Sequence, residues 1–442
     1  MSRYDTQDII YALATPWGRS GLAVIRISGD GCKKVLAPCF SRPEALLAAP
    51  NATLVHGYLN DQKGQRIDEV VLAINTEGHG YTAEEAIEIS CHGSIAVIQA
   101  ILTLLGNLGM RSAEAGEFTF RAFVHGRMDL TQAEAVEELV SSVSQRSRSL
   151  SLARLAGKLR ERIEELKQRL LTLLATVEVQ LDYAEDEVDD FMFPLSDLDT
   201  LIADIARLAQ THQVGRLYKS GARVVLAGAT NVGKSSLFNL LVKEERSIVS
   251  PYRGTTRDYI EADLEVGGIP IRLYDTAGLR ESDDHVEQEG IVRTERLIGD
   301  ADLVIHLVDP TDLAHVPDED ERTIVVYNKS DLVSVGPDKR AISAHSGEGV
   351  ATLLETVEKR LRASLPQSGE EDLVIEGERQ YHLLEGARVA LEEARQLLAG
   401  DVALDVVAVE LGEALSQLGE LTGEVKSDDI LDRIFSGFCV GK

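Results

Sequence analysis

Eight residues from Gly228 to Ser235, reading Gly-Ala-Thr-Asn-Val-Gly-Lys-Ser, combine glycines, an ammonium and a hydroxyl at spacings that suit a polyphosphate. The apolar residues 223–227 precede them and the helical stretch 236–241 follows, so the loop should join a strand to a helix. Glycines there let backbone N–H groups and a helix N-terminus close around phosphate oxygens. Lys234 adds positive charge, and Ser235 offers a hydroxyl suited to Mg2+. Four further strings follow in order: Thr255-Thr256, Asp275-Thr276-Ala277-Gly278, Asn328-Lys329-Ser330-Asp331 and Ser343-Ala344. Together the five specify a domain that binds and hydrolyses GTP. The Asp331 carboxylate can accept from guanine N1–H and from its exocyclic amine, whereas adenine would leave those acceptors unpaired, so the nucleotide is GTP and not ATP.

The elements that must position these groups fall into three compositions. Residues 1–122 mix short β-like runs (22–27 and 69–74) with Gly-rich turns and an apolar helix near 95–108, which reads as a small α+β domain. From 123 to 218 the period becomes helical. Leu152, Leu155, Leu159, Ile163, Leu166, Leu170, Leu173, Val177 and Leu181 recur at three- and four-residue steps, which predicts one long amphipathic helix. An acidic loop at 185–190 and a second helical stretch to about Tyr218 follow. The GTPase motifs occupy 219–365, and helical periodicity resumes over 378–416, with Leu383, Leu384, Ala387, Ala390 and Leu391 on one face. The predicted architecture is a multidomain α/β chain in which a Ras-like P-loop domain is inserted into a helical domain whose second part spans 366–442. A linker is expected over 364–372, where Pro366 and Gly369 stand.

Composition frames the class. The chain has 442 residues and 44% hydrophobic content, enough for two to four packed domains. No apolar run approaches the ~20 residues needed to cross a bilayer, and the start lacks a basic stretch followed by an apolar one, so no membrane association and a cytoplasmic location are expected. Cys32, Cys39, Cys91 and Cys439 show neither zinc spacing nor a disulfide framework. A net charge of −28 repels phosphate backbones overall, and the basic residues Arg146, Arg148, Arg154, Lys158, Arg160 and Arg162 read as a solvated helix face.

Two positions carry chemistry beyond the motifs. Leu279 stands where many regulatory GTPases place the glutamine that orients water, and a leucine cannot do that work. Glu287 is the nearest acidic candidate, and no arginine finger can be assigned among Arg253, Arg257, Arg280 and Arg293. Cys439, in a Gly-flanked tail, is a candidate reactive thiol. Cys91-His92 is only superficially a nucleophile and base, because neighbours on a strand point to opposite faces.

The chain closely resembles the MnmE (TrmE) family of tRNA-modification GTPases over its whole length. The residues that carry the resemblance are 21–29 (Gly-Leu-Ala-Val-Ile-Arg-Ile-Ser-Gly), 115–123 (Ala-Gly-Glu-Phe-Thr-Phe-Arg-Ala-Phe), 129–135 (Asp-Leu-Thr-Gln-Ala-Glu-Ala) and the terminal Phe-Cys-Val-Gly-Lys. The resemblance implies an N-terminal folate-binding and dimerisation domain, a discontinuous helical domain and a G domain activated when two copies meet. GTP contacts would run through Asn231, Val232, Gly233, Lys234, Ser235 and Ser236, then Ser250, Thr255 and Thr256. They continue through Asp275, Thr276, Ala277 and Gly278 to Asn328, Lys329, Asp331, Ser343 and Ala344. Ser235 and Thr256 would hold Mg2+. Asn231, Ser250, Tyr252 and Thr255 would hold K+, whose charge replaces an arginine finger, and Glu287 would orient water. Arg26, Glu88, Arg127 and Lys442 would bind a 5-formyl- or 5,10-methylene-tetrahydrofolate, with Cys439 nearby. Arg127 departs from the family's lysine, Thr230 from a proline, and Ala83-Glu84-Glu85 from Gly-Glu-Asp. The implied partners are a second copy, an FAD-carrying flavoprotein of the MnmG (GidA) type forming a heterotetramer, and tRNA modified at C5 of wobble uridine. The rival reading is a GTPase switch, regulatory or in ribosome assembly, whose only chemistry is hydrolysis; binding of a reduced folate separates the two.

Overall fold

The computed structural model describes residues 6–142, 144–182, 193–244, 260–276, 296–313, 316–336, 339–363, 373–400, 403–424, 431, 434–438 and 440–441. The chain divides into two compact units: Met1–Glu137 with Arg154–Lys167 and Leu418–Lys442, and Glu138–Ala153 with Gln168–Gln417.

The first unit is built on a six-stranded sheet. Its strands are β1 (Ile10–Leu13), β2 (Leu22–Ser28), β3 (Thr53–Asn60), β4 (Arg66–Asn75), β5 (Ala86–His92) and β6 (Arg111–Ser112), in the order β3-β4-β5-β2-β1-β6. Strand alternation sends Ala23, Ile25 and Ile27 of β2, and Ile87, Ile89 and Cys91 of β5, into one core with α3 (Ile95–Asn107). The opposite face then carries Arg26 directly across from Glu88 in the β2–β5 register. The end of the chain belongs to this unit. Phe435 stacks edge-on against Phe120 at 5.4 Å, and Val440 bridges Ala115. Gly116 sits at φ 73, and a Cβ there would lie 2.4 Å from the Phe435 carbonyl oxygen, so only glycine fits.

The string around Glu117 and Arg121 proves to be a buried ionic scaffold on α4 (Glu117–Val124). Arg121 and Glu117 are both fully buried. Arg121 donates to Asp8 at 2.5 Å, to Glu84 at 3.1 Å and to Glu117 at 3.1 Å, and Arg111 bridges Asp8 and Glu117. Glu84 also accepts the Ser28 hydroxyl at 2.6 Å. Burial works against the Asp8 charge, but hydrogen bonds from Arg111 and Arg121 win and hold its carboxyl below the usual range. Ala83, in the string that departs from the family's glycine, adopts a left-handed φ of 60.

The predicted single helix across Leu152 to Leu181 is two helices, α6 (Gln145–Leu155) and α7 (Lys158–Asp182). Gly157 at φ 92 ends the first, its N–H returning 2.8 Å to the Arg154 carbonyl, as a left-handed glycine does past a helix end. Leu152 and Leu181 are exposed, while Leu159, Ile163, Leu166, Leu170, Leu173 and Val177 form the buried stripe. The predicted stretch over 378–416 likewise splits into Glu378–Leu398 and Leu404–Thr422. Its five named apolar residues are all buried.

The second unit holds a five-stranded sheet: β7 (Ala222–Gly228), β8 (Ile260–Val266), β9 (Ile269–Asp275), β10 (Leu303–Val308) and β11 (Thr323–Tyr327), ordered β11-β10-β7-β9-β8. All pairs are parallel except β8–β9. Parallel strands covered on both faces are apolar runs, and β7, β10 and β11 read so. The helix α8 (Leu195–Ser220) leads into β7, and its Val214 and Tyr218 share the sheet's core with Leu150 and Val374. Among the described residues, the loops after β7 and β11 and the start of the third motif after β9 therefore leave the carboxyl edge of the sheet, where doubly wound folds bind ligands.

Candidate nucleotide site

The loop after β7 is shaped by two glycines. Gly228, at φ 133, lets β10 approach so closely that a Cβ would stand 2.3 Å from the Leu307 carbonyl oxygen. Gly233, at φ 102, leaves the same room for Asn328, whose Nδ2 would be 2.2 Å from a Cβ. Val232 is buried between them, and α9 (Lys234–Glu244) starts immediately after. Lys234 curls its ammonium back onto the carbonyls of Gly228 and Ala229 at 2.9 and 2.8 Å, across the phosphate loop.

Asn328 is the keystone, a role that spacing did not reveal. Its Nδ2 donates to the Val232 carbonyl at 2.7 Å, and its Oδ1 accepts the Ala344 N–H at 2.9 Å. One buried amide thus ties the phosphate loop, the base loop and the Ser343-Ala344 loop together. Asp331 is exposed, and the Ser343 hydroxyl beside it holds its carboxyl below the usual range, which keeps it an anionic acceptor. Thr276 donates to the Leu226 carbonyl at 2.8 Å, fixing the start of the third motif.

The donor chemistry fits magnesium. Ser235 Oγ donates to Asp275 Oδ2 at 2.7 Å, which places a hydroxyl and a carboxylate oxygen together at the first turn of α9, and hard oxygen donors are what Mg2+ takes. Asn231, exposed at φ 62, presents an amide of the kind K+ takes. Ser250, Tyr252, Thr255, Thr256, Ala277, Gly278 and Glu287 lie outside the described residues, as do Cys439 and Lys442.

Sequence reasoning missed Asp309, which follows β10 directly. It accepts Lys329 Nζ at 2.6 Å, Thr311 Oγ1 at 2.6 Å and the Thr311 N–H at 2.9 Å. The only signal was an acid placed at the end of a buried strand. Lys329 and Thr311 lower its pKa from 3.8 to about 2. A depressed carboxylate stabilises fully above its unfolded pKa and loses that contribution as pH falls through the folded value. Accordingly, the difference in urea midpoint between the wild type and Asp309→Asn should stay constant from pH 8 to 5 and shrink only below about pH 4. A difference that already vanishes between pH 7 and 5 would contradict this.

The first unit assembles the other predicted group. Arg26 Nε donates to Glu88 Oε1 at 2.9 Å, and its Nη1 donates to the Gly441 carbonyl at 3.0 Å. Its guanidinium lies 5.4 Å from the Tyr81 ring centroid and 5.7 Å from that of Phe118. Arg127 is exposed and donates to the carbonyl of Gly80, the neighbour of Tyr81. A guanidinium, a carboxylate and aromatic surface at one place suit the edge of a planar, polar heterocycle. Cys91 and His92 do face opposite ways. Burial pushes the Cys91 thiol up to about 11, while His92 is exposed and bonded to Asp68 at 2.8 Å.

The comparisons agree with this layout. The family model for the MnmE helical domain matches residues 130–439, and that for the GTP-binding protein TrmE N-terminus matches residues 9–127. The tRNA modification GTPase MnmE of Treponema denticola is 38% identical over 470 residues, covering 100% of both chains. That of Borrelia recurrentis is 37% identical, again over 100% of each, and that of Carboxydothermus hydrogenoformans is 38% identical over 99% of this chain and 100% of its own. On these full-length matches, the chain belongs to the MnmE (TrmE) family of tRNA modification GTPases.

Proposed function

We propose that this protein is the GTP-hydrolysing component that modifies C5 of the wobble uridine (U34) in tRNA. It would act in the cytoplasm with an FAD-carrying MnmG-type flavoprotein, and a tetrahydrofolate would supply the one-carbon unit of an aminomethyl or carboxymethylaminomethyl group. The observation that carries this reading is the coexistence in one chain of an amide-locked guanine nucleotide cradle and a separate wall made by Arg26, Glu88, Tyr81 and Gly441.

In the cradle, Lys234 and the N–H groups opening α9 bind phosphate oxygens, and Asp331 selects guanine. Ser235 and Thr256 would hold magnesium. Asn231, Ser250, Tyr252 and Thr255 would hold potassium, which when bound supplies fixed positive charge where the phosphoryl oxygens gather negative charge. Glu287 would orient the attacking water in place of Leu279, and a homodimer would bring two G domains together. In the first unit, Arg26, Glu88, Arg127 and Lys442 would hold the folate's polar edge and tail. Cys439 would lie near the transferred carbon.

The test is steady-state GTP hydrolysis in potassium against sodium buffer, with light scattering on the same samples. Potassium should raise the rate by about 10³-fold, the scale of an arginine finger, together with association in a GTP analogue. Equal slow rates without association would replace this reading with a switch driven by an external activator. A parallel titration with 5-formyl-tetrahydrofolate should show binding that Arg26→Ala and Glu88→Ala each weaken.

A further inference from the structure

The side chain of Lys329 is fixed at both ends. Its backbone adopts a left-handed φ of 66, and its carbonyl is capped by the N–H groups of Leu332 at 2.9 Å and Val333 at 3.1 Å. Its ammonium is held by Asp309 Oδ2 at 2.6 Å, while Asp309 Oδ1 is locked by the Thr311 N–H and hydroxyl. Four methylenes are thereby stretched between the ends of β10 and β11, two residues from the base-reading Asp331. The strand ends themselves are joined, the Asn328 N–H donating to the Val308 carbonyl at 3.0 Å. A free lysine stem would lose rotamer freedom when a base slid against it, and here that freedom is removed beforehand.

We propose that Asp309 is a positioning residue for guanine nucleotides: by clamping the Lys329 ammonium, it presents the lysine stem as a preformed side wall of the base slot. The inference rests on the reading of this site as a GTP site and adds the residue that arms it. Asp309 reaches toward Lys329 and Thr311. Its effect passes through Lys329, so it should govern affinity and leave the phosphoryl-transfer step alone.

The experiment measures fluorescent GDP binding and GTP hydrolysis for the full-length chain carrying Asp309→Ala, Asp309→Asn, Lys329→Met and the double variant Asp309→Ala/Lys329→Met. Asp309→Ala should weaken GDP binding by roughly 3- to 10-fold, the cost of immobilising one rotamer-rich side chain on binding, and raise KM with kcat at saturating GTP changed less than about twofold. Asp309→Asn, which keeps the Thr311 contacts, should fall between and covers the case in which the alanine variant fails to fold. In the Lys329→Met background, adding Asp309→Ala should cost less than about twofold, because the wall it positions is already altered. Additive losses, an unchanged affinity, or a fall in kcat at constant KM would each overturn the proposal. Absence of GDP binding by the wild type would instead overturn the nucleotide-site reading beneath it.

Discussion

Substitution of Gly233 by alanine is expected to eliminate guanine nucleotide binding at micromolar concentrations while the chain stays folded. Two effects add at this position. An L-residue at φ 102 is strained, which costs about 1–3 kcal/mol. The new Cβ would also stand 2.2 Å from Asn328 Nδ2, so the amide must leave. Its departure strands the Val232 carbonyl and the Ala344 N–H that it pairs, at about 1–3 kcal/mol for each buried group left unsatisfied. Together the terms reach roughly 3–9 kcal/mol, and the lower end alone corresponds to about 10²-fold in affinity. Asn328→Ala removes the bridge without the clash and should give an intermediate loss. Titration calorimetry with GDP reads both. Affinity within threefold of wild type for Gly233→Ala would mean that Asn328 does not brace the phosphate loop.

Why the nucleotide site was readable and its bracing was not follows from sequence distance. The strings at 228–235 and 328–331 are local patterns set within a few residues, so the strand-loop-helix at Lys234 and Ser235 and the loop carrying Asp331 after a buried strand stand where spacing put them. Asn328 meets Val232 across 96 positions, and Asp309 meets Lys329 across 20, and no periodicity encodes either contact. The helices show the opposite failure. The apolar period runs on through Leu152, Leu155 and Leu159, so hydrophobic spacing alone sees one helix. What breaks it is one backbone angle at Gly157, which the pattern tolerates but the chain uses to start a new axis. Strands β2 and β4 were legible as apolar runs, whereas β5, whose register sets Glu88 across from Arg26, was not among the runs read. The tail that brings Gly441 to them arrives from 415 positions away.

The largest stability effect is expected at Arg121. Its guanidinium is wholly buried and serves Asp8, Glu84 and Glu117, of which Glu117 is itself fully buried. Arg121→Met fills much of the volume but leaves at least Glu117 as a buried carboxylate that has lost one of its two arginines. Removing one partner of a buried ion pair costs about 3–5 kcal/mol, a large share of the 5–15 kcal/mol that holds a typical domain. The loss should be confined to the first unit. The single tryptophan, Trp17, lies in that unit, so urea unfolding followed by its emission reports there. GTP hydrolysis reports on the sheet that has its own core around β7. Arg121→Met should shift the emission midpoint well below that of wild type, while basal GTP hydrolysis at low urea remains. Arg121→Lys should recover only part of the shift, since one ammonium cannot reproduce a guanidinium shared among three carboxylates. If instead the midpoint is unchanged, the network is neutral to stability, and the geometry around Glu117 must have some other purpose, such as holding Phe118 under the Arg26 guanidinium.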